Sequence, residues 1–319
     1  MFDLIACGEL LIDFVPTVSG LSLAQAPAFK KAPGGAPANV AVGTARLGKR
    51  AGFMGQVGDD EFGHFLADTL AADGVDVAGL RFSDAARTAL AFVSLRADGE
   101  REFMFYRHPS ADMLWRPADV DPTYAAQTRI FHFGSITLIG EPSRSATLTA
   151  VAAAQAGGAL ISYDPNLRLP LWPSPGAART GMLVGWQLAQ VIKVSEEELA
   201  FLSGATDLAT GARRLWHDAL RLLVITQGSG GSTYFTPHAA GHVQGFAVTP
   251  VDTTGAGDGF VAGLLTGLLD CDLNWTEDDL RHALRLGNAV GALTTLERGA
   301  IPGLPTRAAV EAFLTSTPV

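Results

Sequence analysis

Short apolar runs alternate along the chain with longer stretches that have the hydrophobic spacing of a helix. Helical spacing is found, among other places, in Ala36–Leu47, Asp60–Asp73, Ser143–Ala156 and Asp207–Ala219. The short runs predict buried strands at Leu4–Cys7, Ala51–Gln56, Ile130–Phe133, Ala159–Tyr163, Gln190–Val194 and Leu222–Thr226. This alternation predicts an α/β fold, in which a mostly parallel sheet is covered by helices on both faces.

One section departs from the alternation. Thr88–Leu95 and Glu100–Tyr106 alternate with period two around Asp98-Gly99, which is a strong hairpin signal. The segment Ser22–Lys31 is similarly irregular, with Pro27 inside it and Pro33 just after it. We expect the two insertions to form one small β layer that covers a cleft. The alternative is an edge hairpin without a role of its own.

Composition limits the classes of protein and of partner that fit this chain. The chain has 319 residues, of which 48% are hydrophobic and 17% charged. A chain of this composition can bury a sizeable core, which excludes disorder, and its length allows one large α/β domain or about two domains. The formal net charge of -9 argues against a nucleic acid or an anionic membrane as partner. A phosphate ligand stays open, because backbone N–H groups and one or two arginines suffice to hold it.

Cysteine usage and the terminus suggest a compartment. The two cysteines, Cys7 and Cys271, form no CxxC pair, so neither a zinc ribbon nor a disulfide framework is indicated. The first residues lack the basic start of a signal peptide, and the longest apolar stretch, Phe260–Leu269, is too short to span a bilayer. We expect a soluble, cytoplasmic protein with reduced thiols.

The strongest candidate for chemistry runs from Val251 to Phe260 and precedes an apolar, glycine-containing helix. A buried helix presents free N–H groups and positive partial charge at its start. Gly255 and Gly257 lack the side chains that would block an anion from reaching those groups. Asp258 would repel a bound phosphate unless it takes a proton from the hydroxyl that attacks that phosphate. The alternative is that Asp252 or Thr254 caps the helix and Asp258 only favours its dipole.

Three further clusters follow predicted strands or open predicted helices. Two glycines at 34 and 35 let a ligand approach the backbone, and Asn39 one turn later offers a donor and an acceptor. Asp13 lies at a strand end, where it could hold sugar hydroxyls. Asn166 and Arg168 could reach phosphate oxygens. Taken singly, each cluster has a structural alternative: a glycine-rich turn, a turn aspartate, and an Asx turn with a surface arginine.

Two motifs are rejected. Gly43–Arg50 has Walker A spacing as far as Lys49, but Arg50 replaces the Ser or Thr that would hold magnesium, and the segment closes a helix. Gly255-x-Gly257-x-x-Phe260 lacks the third glycine of a dinucleotide fingerprint and lies late in the chain.

Together the clusters resemble the PfkB (ribokinase-like) family of carbohydrate kinases. The segment with Gly34, Gly35 and Asn39 resembles the first signature of the family, and Asp252–Asp258 is similar to the second, more specific one. The resemblance covers almost the whole chain. Within the family it is closest to the fructokinases, over Gly8–Pro16, Ala26–Gly48, Phe105–Asp112, Ser162–Ser174 and Lys193–Glu198.

The resemblance implies a Rossmann-like three-layer sandwich in a single kinase domain over 1–319, with a lid of roughly 14–33 and 81–108. The implied activity is ATP-dependent phosphorylation of the C6 hydroxyl of D-fructose, in line, with Asp258 as base. Carried over residue by residue, the anion hole is formed by Gly255, Ala256 and Gly257, with Arg168 at the phosphates. The sugar would be held by Asp13, Gly34, Gly35, Asn39 and Arg107, and ATP by Asn166, Thr226, Gly228 and Asn288.

The implied cofactors are Mg²⁺ and, at Asp252, a monovalent cation such as K⁺. The Asn-x-x-Glu magnesium motif of the family aligns with Ser195–Glu198, so Glu198 keeps the acidic position while Ser195 replaces the asparagine. We expect help to the metal through a bound water at this position.

The alternatives are a sister kinase for 2-keto-3-deoxygluconate or ribose, and, in another class, a non-catalytic sugar sensor; a dehydrogenase is more distant. Exposed hairpin edges and the aromatic residues Phe103 and Phe105 suggest a partner surface. The resemblance implies a homodimer clasped through the lids.

Overall fold

A nine-stranded sheet forms the centre of the molecule in a computed structural model, which describes residues 1–18, 20–95 and 101–317. Its strands, in chain order, are β1 Phe2–Cys7, β4 Ala51–Gly58, β5 Asp76–Ser83, β8 Thr128–Gly134, β9 Leu160–Asp164, β10 Val191–Ser195, β11 Leu222–Thr226, β12 Gly231–Phe235 and β13 Ala240–Gln244. The smaller sheet holds β2 Leu11–Pro16, β3 Phe29–Gly34, β6 Leu90–Leu95 and β7 Arg101–Tyr106.

Eleven α-helices connect or flank these strands within the described residues. They are α1 Ala36–Arg46, α2 Glu61–Ala72, α3 Pro122–Ala126, α4 Ser143–Ala156, α5 Pro175–Trp186, α6 Glu196–Ser203, α7 Leu208–Leu215, α8 Ala256–Asp270, α9 Glu277–Thr294, α10 Ala300–Gly303 and α11 Arg307–Ser316. In this part of the chain, none of the helices is long and apolar enough to cross a bilayer.

The main sheet has the order β13-β12-β11-β10-β9-β8-β1-β4-β5. Every pairing from β11 to β5 is parallel, and only β12 and β13 add on antiparallel. The carboxyl ends of the parallel strands therefore meet at one edge of the sheet, where open α/β sheets bind ligands. The prediction of a mostly parallel α/β core is confirmed.

Alternation along the central strand separates two cores. Leu4 and Ala6 of β1 pack with α1, α2, α8 and α9 on one face, whereas Ile5 and Cys7 pack with α3 to α7 on the other. All four of these residues have no exposed surface. Because successive side chains of a strand point to opposite faces, a continuous apolar run predicts this burial on both faces in a three-layer sandwich.

The smaller sheet has the order β3-β2-β6-β7. β6 and β7 pair antiparallel, with Leu90 opposite Tyr106, and β2 joins the two halves by pairing with both β3 and β6. The predicted small β layer therefore exists, while its predicted Asp98-Gly99 turn lies outside the described residues. The layer begins at Leu11, before the predicted lid start at 14. Asp76–Ser83 belongs to the main sheet as β5, so residues 81–83 of the predicted lid are not part of the smaller sheet.

Some elements differ from the sequence prediction. Strands β5 and β13 carry too few consecutive apolar residues to stand out, because they lie at the edges of the sheet and expose one face. Strand β12, which pairs with both β11 and β13, has its apolar run interrupted by Ser232 and Thr233. Helix α7 ends at Leu215, four residues before the predicted end, and the chain is extended at Trp216. Asp207 caps the start of α7 by accepting a hydrogen bond from the N–H of Thr210.

Helix α8 is buried from Asp258 to Leu269, as its apolar sequence predicts. A Cβ at Gly263 would lie 2.8 Å from the Cα of Gly287, and one at Gly267 would lie 2.6 Å from the Cα of Ala283. Glycines therefore let α8 and α9 approach closely. This packing fixes the start of α8 deep in the molecule, at the carboxyl edge of the sheet.

Candidate active site

The start of helix α8 is an uncapped helix N-terminus. Gly255 occupies the cap position with φ 80°, and no side chain there bonds to the free N–H groups. Thr254 donates both its N–H and its hydroxyl to Asp252 instead, at 2.9 and 2.7 Å. The alternative in which Asp252 or Thr254 caps the helix is wrong. The N–H of Ala256 donates to the carbonyl of Thr253 at 3.3 Å, so an anion at this helix start would compete there with a backbone carbonyl and not with a side chain.

Gly255 is required by backbone geometry as well as by space. Its φ lies in the left-handed region that favours glycine, and a Cβ there would lie 2.6 Å from the Cβ of Ala300. A Cβ on Gly257 would lie 3.1 Å from the ammonium nitrogen of Lys193. The first turn of α8, which carries the partial positive charge of the helix, therefore also lies next to a buried cation.

Asp258 lies in the first turn of α8 and is buried, with 9% of its surface exposed. The side-chain amide of Asn39 in α1 donates to its Oδ2 at 2.7 Å. Burial raises the pKa of Asp258 to about 6, partly opposed by the bond from Asn39 and by the charges of Lys193 and Arg168. A carboxyl whose pKa lies close to neutrality can accept and release a proton at working pH.

The start of helix α1 forms the opposite wall. Gly34 lets the chain pass the Asp13 carboxylate, because a Cβ at 34 would lie 2.2 Å from Asp13 Oδ2. Gly35 caps α1 with φ 115°, and the next N–H, that of Ala36, donates to the Glu9 carboxylate at 3.1 Å. Each glycine thus lets a carboxylate lie beside the helix start.

The two carboxyls on this wall titrate near neutral pH. Burial raises the pKa of Asp13 to about 7, with Arg168 opposing the shift and Asp258 and Asp252 adding to it. Burial raises the pKa of Glu9 to about 7 as well. These groups can serve as strong hydrogen-bond acceptors for hydroxyls when they are ionised.

The ends of β9 and β10 supply the cationic side of the site. Asp164, the last residue of β9, accepts from the N–H of Asn166 at 3.1 Å and from Lys193 at 3.0 Å. The first bond makes an Asx turn that holds Asn166 at φ 45°. The turn brings Asn166 and Arg168 to the same cavity as Asp258.

Two cavities share a wall at the start of α8. The smaller, of about 170 Å³, is bordered by ionisable and glycine residues and by the smaller sheet: Glu9, Leu11, Asp13, Gly35, Ala36, Asn39, Val93, Phe105, Ile136, Asn166, Arg168, Lys193, Thr253, Thr254, Gly255, Gly257 and Asp258. The larger, of about 410 Å³, is lined mainly by glycine and apolar residues. Thr253 and Gly257 border both. A group passed from one cavity to the other would cross at this helix start.

The larger cavity contains three of the four residues predicted for ATP: Thr226, Gly228 and Asn288. Asn288 donates its amide to the carbonyls of Val243 and Gln244 at 3.1 and 3.2 Å, so it fixes β13 against α9. The fourth, Asn166, lies in the smaller cavity.

Arg107 is not brought into either of these cavities. Its guanidinium pairs with Asp112, and the side chains are 5% and 2% exposed. From there it lowers the pKa of Glu9, against the larger effect of burial. Because a buried arginine needs a carboxylate partner, the Asp112 pair holds Arg107 behind the wall of the smaller cavity.

The predicted metal residues are held by protein donors. Both oxygens of Glu198 accept backbone N–H groups, from Leu167 at 2.6 Å and Ser195 at 2.9 Å. Ser195 in turn caps α6, which explains why a serine suits this position. Asp252 accepts from the N–H of Gly299 at 3.0 Å through its second oxygen. Among the described residues, no cluster of three or more His, Cys, Asp or Glu could hold a metal.

Three charged residues of the site were not predicted from the sequence. Glu9, Asp164 and Lys193 are each buried, with 2%, 3% and 8% of their surface exposed. Each has the same signal: a charged residue inside or directly after an apolar strand, which needs a partner once it is buried. Lys193, for example, lies within the predicted strand Gln190–Val194.

The two cavities adjoin at an uncapped helix start that carries a buried carboxyl. This arrangement is typical of a protein that brings a phosphate compound to a second ligand with a hydroxyl group. The chain belongs to the PfkB family of carbohydrate kinases, whose family model matches residues 1–307. The resemblance stated from the motifs is confirmed.

Relatives and solved structures agree over the full length. The chain is 57% identical over 319 residues to a protein named probable fructokinase-7 of Arabidopsis thaliana, covering 98% of this chain and 93% of that one. It is 36% identical to the fructokinase with bound ATP from Xylella fastidiosa, with a TM-score of 0.89 and 98% of each chain covered. It is 39% identical to the Vibrio cholerae O395 fructokinase in its fructose, ADP and calcium ion bound form, with a TM-score of 0.89 and coverage of 98% and 99%. A double mutant of the Vibrio protein, in a fructose, ADP and potassium ion bound form, has a TM-score of 0.88 at 38% identity, with 98% of each chain covered.

Proposed function

We propose that this protein is an ATP-dependent fructokinase that phosphorylates the C6 hydroxyl of D-fructose. The observation that carries the proposal is the position of Asp258. Its buried carboxyl lines the polar cavity at the uncapped start of α8, next to Gly257, which borders both this cavity and the larger apolar one. The names of relatives more than 50% identical to this chain support fructose as the sugar.

The proposed transfer uses the chain's own groups in simple roles. The C6 hydroxyl gives its proton to Asp258 as its oxygen bonds to the γ-phosphorus of ATP. The bond from that phosphorus to the bridging oxygen breaks, and its electron pair leaves with ADP. The N–H groups of Gly255, Ala256 and Gly257 stabilise the negative charge on the transferred group. Arg168, from the facing turn, adds a second positive charge.

Asn39 is proposed to orient the base. Its amide donates to Oδ2 of Asp258, which fixes the carboxyl plane and leaves Oδ1 for the proton. Asp13, beside Gly34, is proposed to hold sugar hydroxyls on the opposite wall. An ionised carboxylate accepts hydrogen bonds from hydroxyl groups.

The smaller sheet is proposed to act as a lid over the sugar, within a single domain over 1–319. Its strands place Asp13, Val93 and Phe105 on the wall of the smaller cavity. A closed lid would keep water away from the phosphoryl group, since water would otherwise compete with the sugar as acceptor.

Mg²⁺ is the proposed divalent ion. The residues fit a metal held chiefly by phosphate oxygens and water, because the described part of the chain has no cluster of three ligands. Glu198 would contact a metal-bound water with the lone pairs that its two N–H donors leave free. When bound, Mg²⁺ neutralises charge on the phosphates. The buried carboxylate of Asp252 is proposed to favour a monovalent cation such as K⁺ nearby, and the potassium in the Vibrio double mutant supports this.

A sugar panel tests the substrate. ADP production with ATP should be fastest, at limiting sugar concentration, with D-fructose, and much slower with 2-keto-3-deoxygluconate or ribose. Burial of Arg107 in its pair with Asp112 supports a neutral sugar, because a sugar acid calls for extra cations at the lid side. Product analysis by ³¹P and ¹³C NMR should place the phosphate on C6. Sugar binding without ADP production would instead indicate a sensor.

A homodimer through the lid is proposed from the edge strand β7. This strand ends the order β3-β2-β6-β7, and Met104 and Tyr106 on it are 42% and 57% exposed. An exposed strand edge with large apolar side chains favours pairing with a second copy. The Phe103 side chain lies outside the described residues.

Light scattering at micromolar concentration should give twice the chain mass. Met104→Glu should shift it towards the monomer, with Gln187→Glu, at an exposed polar position at the end of α5 and outside the lid, as control. A monomer mass for the wild type would contradict this assembly. We also propose a cytoplasmic location, supported by the use of ATP and by two free cysteines, Cys7 and Cys271.

A further inference from the structure

Lys193 is a buried cation in an apolar strand. Its neighbours in β10 are aliphatic and buried, and its own side chain is 10% exposed. A lysine in such a place is unfavourable unless its ammonium is paired, and an aliphatic residue would fill the same space without that requirement. The ammonium therefore invites a functional explanation.

The protein satisfies this ammonium only in part. Lys193 has three N–H donors, and the described residues supply one hydrogen-bond acceptor, Asp164 Oδ2 at 3.0 Å. Burial alone would lower the pKa of Lys193, but Asp164 and Glu198 more than offset it, and the pKa is raised. The side chain is therefore charged and retains donors for an anion.

The ammonium lies where the two cavities meet. Its nitrogen is 3.1 Å from the point that a Cβ on Gly257 would occupy, and Gly257 borders both cavities. Lys193 also lines the smaller cavity beside Asp258 and Arg168. A phosphoryl group that reaches the start of α8 would thus lie between the helix N–H groups and this ammonium.

We propose that Lys193 is a catalytic residue that binds the γ-phosphoryl group of ATP directly, with Asp164 holding its ammonium in place. Lys193 forms no covalent bond and gives up no proton; it contributes charge and hydrogen bonds to a group that already carries negative charge. The inference rests on the proposed function in taking ATP as the phosphate donor.

The test compares two nucleotides in a variant that leaves no buried charge unpaired. Lys193→Met combined with Asp164→Asn removes both charges, and Asn keeps the Oδ1 that accepts from the N–H of Asn166. Lys49→Met with Asp270→Asn is the control, because that ion pair lies at the end of α8 remote from the site, and Arg307, the other partner of Asp270, keeps its pair with Glu311. Melting curves confirm folding, and calorimetry measures ADP and a non-hydrolysable triphosphate analogue.

A direct contact with the γ-phosphoryl group predicts a selective loss. The site double variant should bind the triphosphate analogue about 10- to 100-fold more weakly, the range of a charged hydrogen bond, and bind ADP and fructose within about twofold of wild type. The control pair should change neither. Unchanged affinity for the analogue, or an equal loss for both nucleotides, would overturn the proposal.

The outcome is separable from that of the proposed function. If the wild type binds the triphosphate selectively through Lys193 but leaves fructose unphosphorylated, the sugar assignment fails and the Lys193 contact stands. If fructose is phosphorylated and the double variant keeps wild-type affinity for the triphosphate analogue, the Lys193 contact fails alone.

Discussion

The two cavities differ in how they can recognise a ligand. The smaller one is bordered by five charged residues, Glu9, Asp13, Arg168, Lys193 and Asp258, whereas the larger one has Asn288 and a few hydroxyls among glycine and apolar residues. Charged groups in a buried space make strong, directional hydrogen bonds, while apolar walls select mainly by shape. Substitutions on the sugar side should therefore have larger effects than those on the nucleotide side.

The polar groups of the two cavities also differ in role: those of the nucleotide side hold the wall together, and those of the sugar side can take part in chemistry. On the nucleotide side, the side-chain amide of Asn288 donates to backbone carbonyls of β13. On the sugar side, three carboxyls have a pKa raised to about 6 or 7 by burial. Such carboxyls are costly to bury, and groups shifted towards neutral pH are typical of functional sites.

The largest effect is expected for Asp258→Asn. Without the base, kcat should fall by about 10²- to 10⁴-fold, while the dissociation constant for fructose changes little. Because the folded state of the wild type holds the ionised carboxyl unfavourably, the variant should also melt at a higher temperature above pH 7. Steady-state kinetics, calorimetry and a melting curve measure the three quantities. Wild-type turnover in this variant would remove Asp258 from the chemistry.

The next effect is expected for Asp13→Asn. The amide fits beside Gly34 but lacks the negative charge, so the KM for fructose should rise about 10- to 100-fold. The KM for ATP should stay within about twofold, since Asp13 does not line the larger cavity. An equal rise in both constants would mean that the two cavities do not recognise their ligands independently.

The pH profile should change on the sugar side alone. The pKa values of about 6 for Asp258 and about 7 for Asp13 leave both acids increasingly protonated as the pH falls from 8 to 5. A protonated base accepts no proton, so kcat/KM for fructose should fall with decreasing pH, by up to about tenfold per unit for each group. Affinity for ADP should follow only the titration of its own terminal phosphate, whose second pKa is about 6. A kcat/KM that is flat down to pH 5 would contradict the raised values.

The smallest effect is expected for Asn288→Ala. Loss of two hydrogen bonds to β13 should loosen the nucleotide wall and raise the KM for ATP about threefold to tenfold. The KM for fructose should not change. A change in the fructose constant larger than that for ATP would show that this wall also shapes the sugar side.

The sequence predicted the parts of the site that are continuous in the chain. The glycines at 255 and 257, Asp258 and the apolar helix that follows form one local pattern, and their physical consequences are local. The same holds for the strand ends that position Asn166 and Thr226. Parallel strands bring such ends together, so the sequence also indicated that these segments meet.

Contacts between segments that are far apart in the chain could not be predicted from the sequence. The bond from Asn39 to Asp258 joins residues that are 219 positions apart, and the Lys193–Asp164 pair links two strands. Arg107 was predicted at the sugar, but whether it turns to the cavity or to Asp112 depends on packing behind the wall. The edge strands β5 and β13 were missed because one exposed face breaks their apolar runs.

The central claim is that the Asp258 carboxyl is aimed at the sugar alcohol across the start of α8. A crystal structure with D-fructose and a non-hydrolysable ATP analogue measures this directly. We expect an Asp258 oxygen about 2.6–3.2 Å from the C6 hydroxyl, and the terminal phosphate on the N–H groups of Gly255, Ala256 and Gly257. A C6 hydroxyl that points away from Asp258, or a terminal phosphate bound elsewhere, would contradict the account.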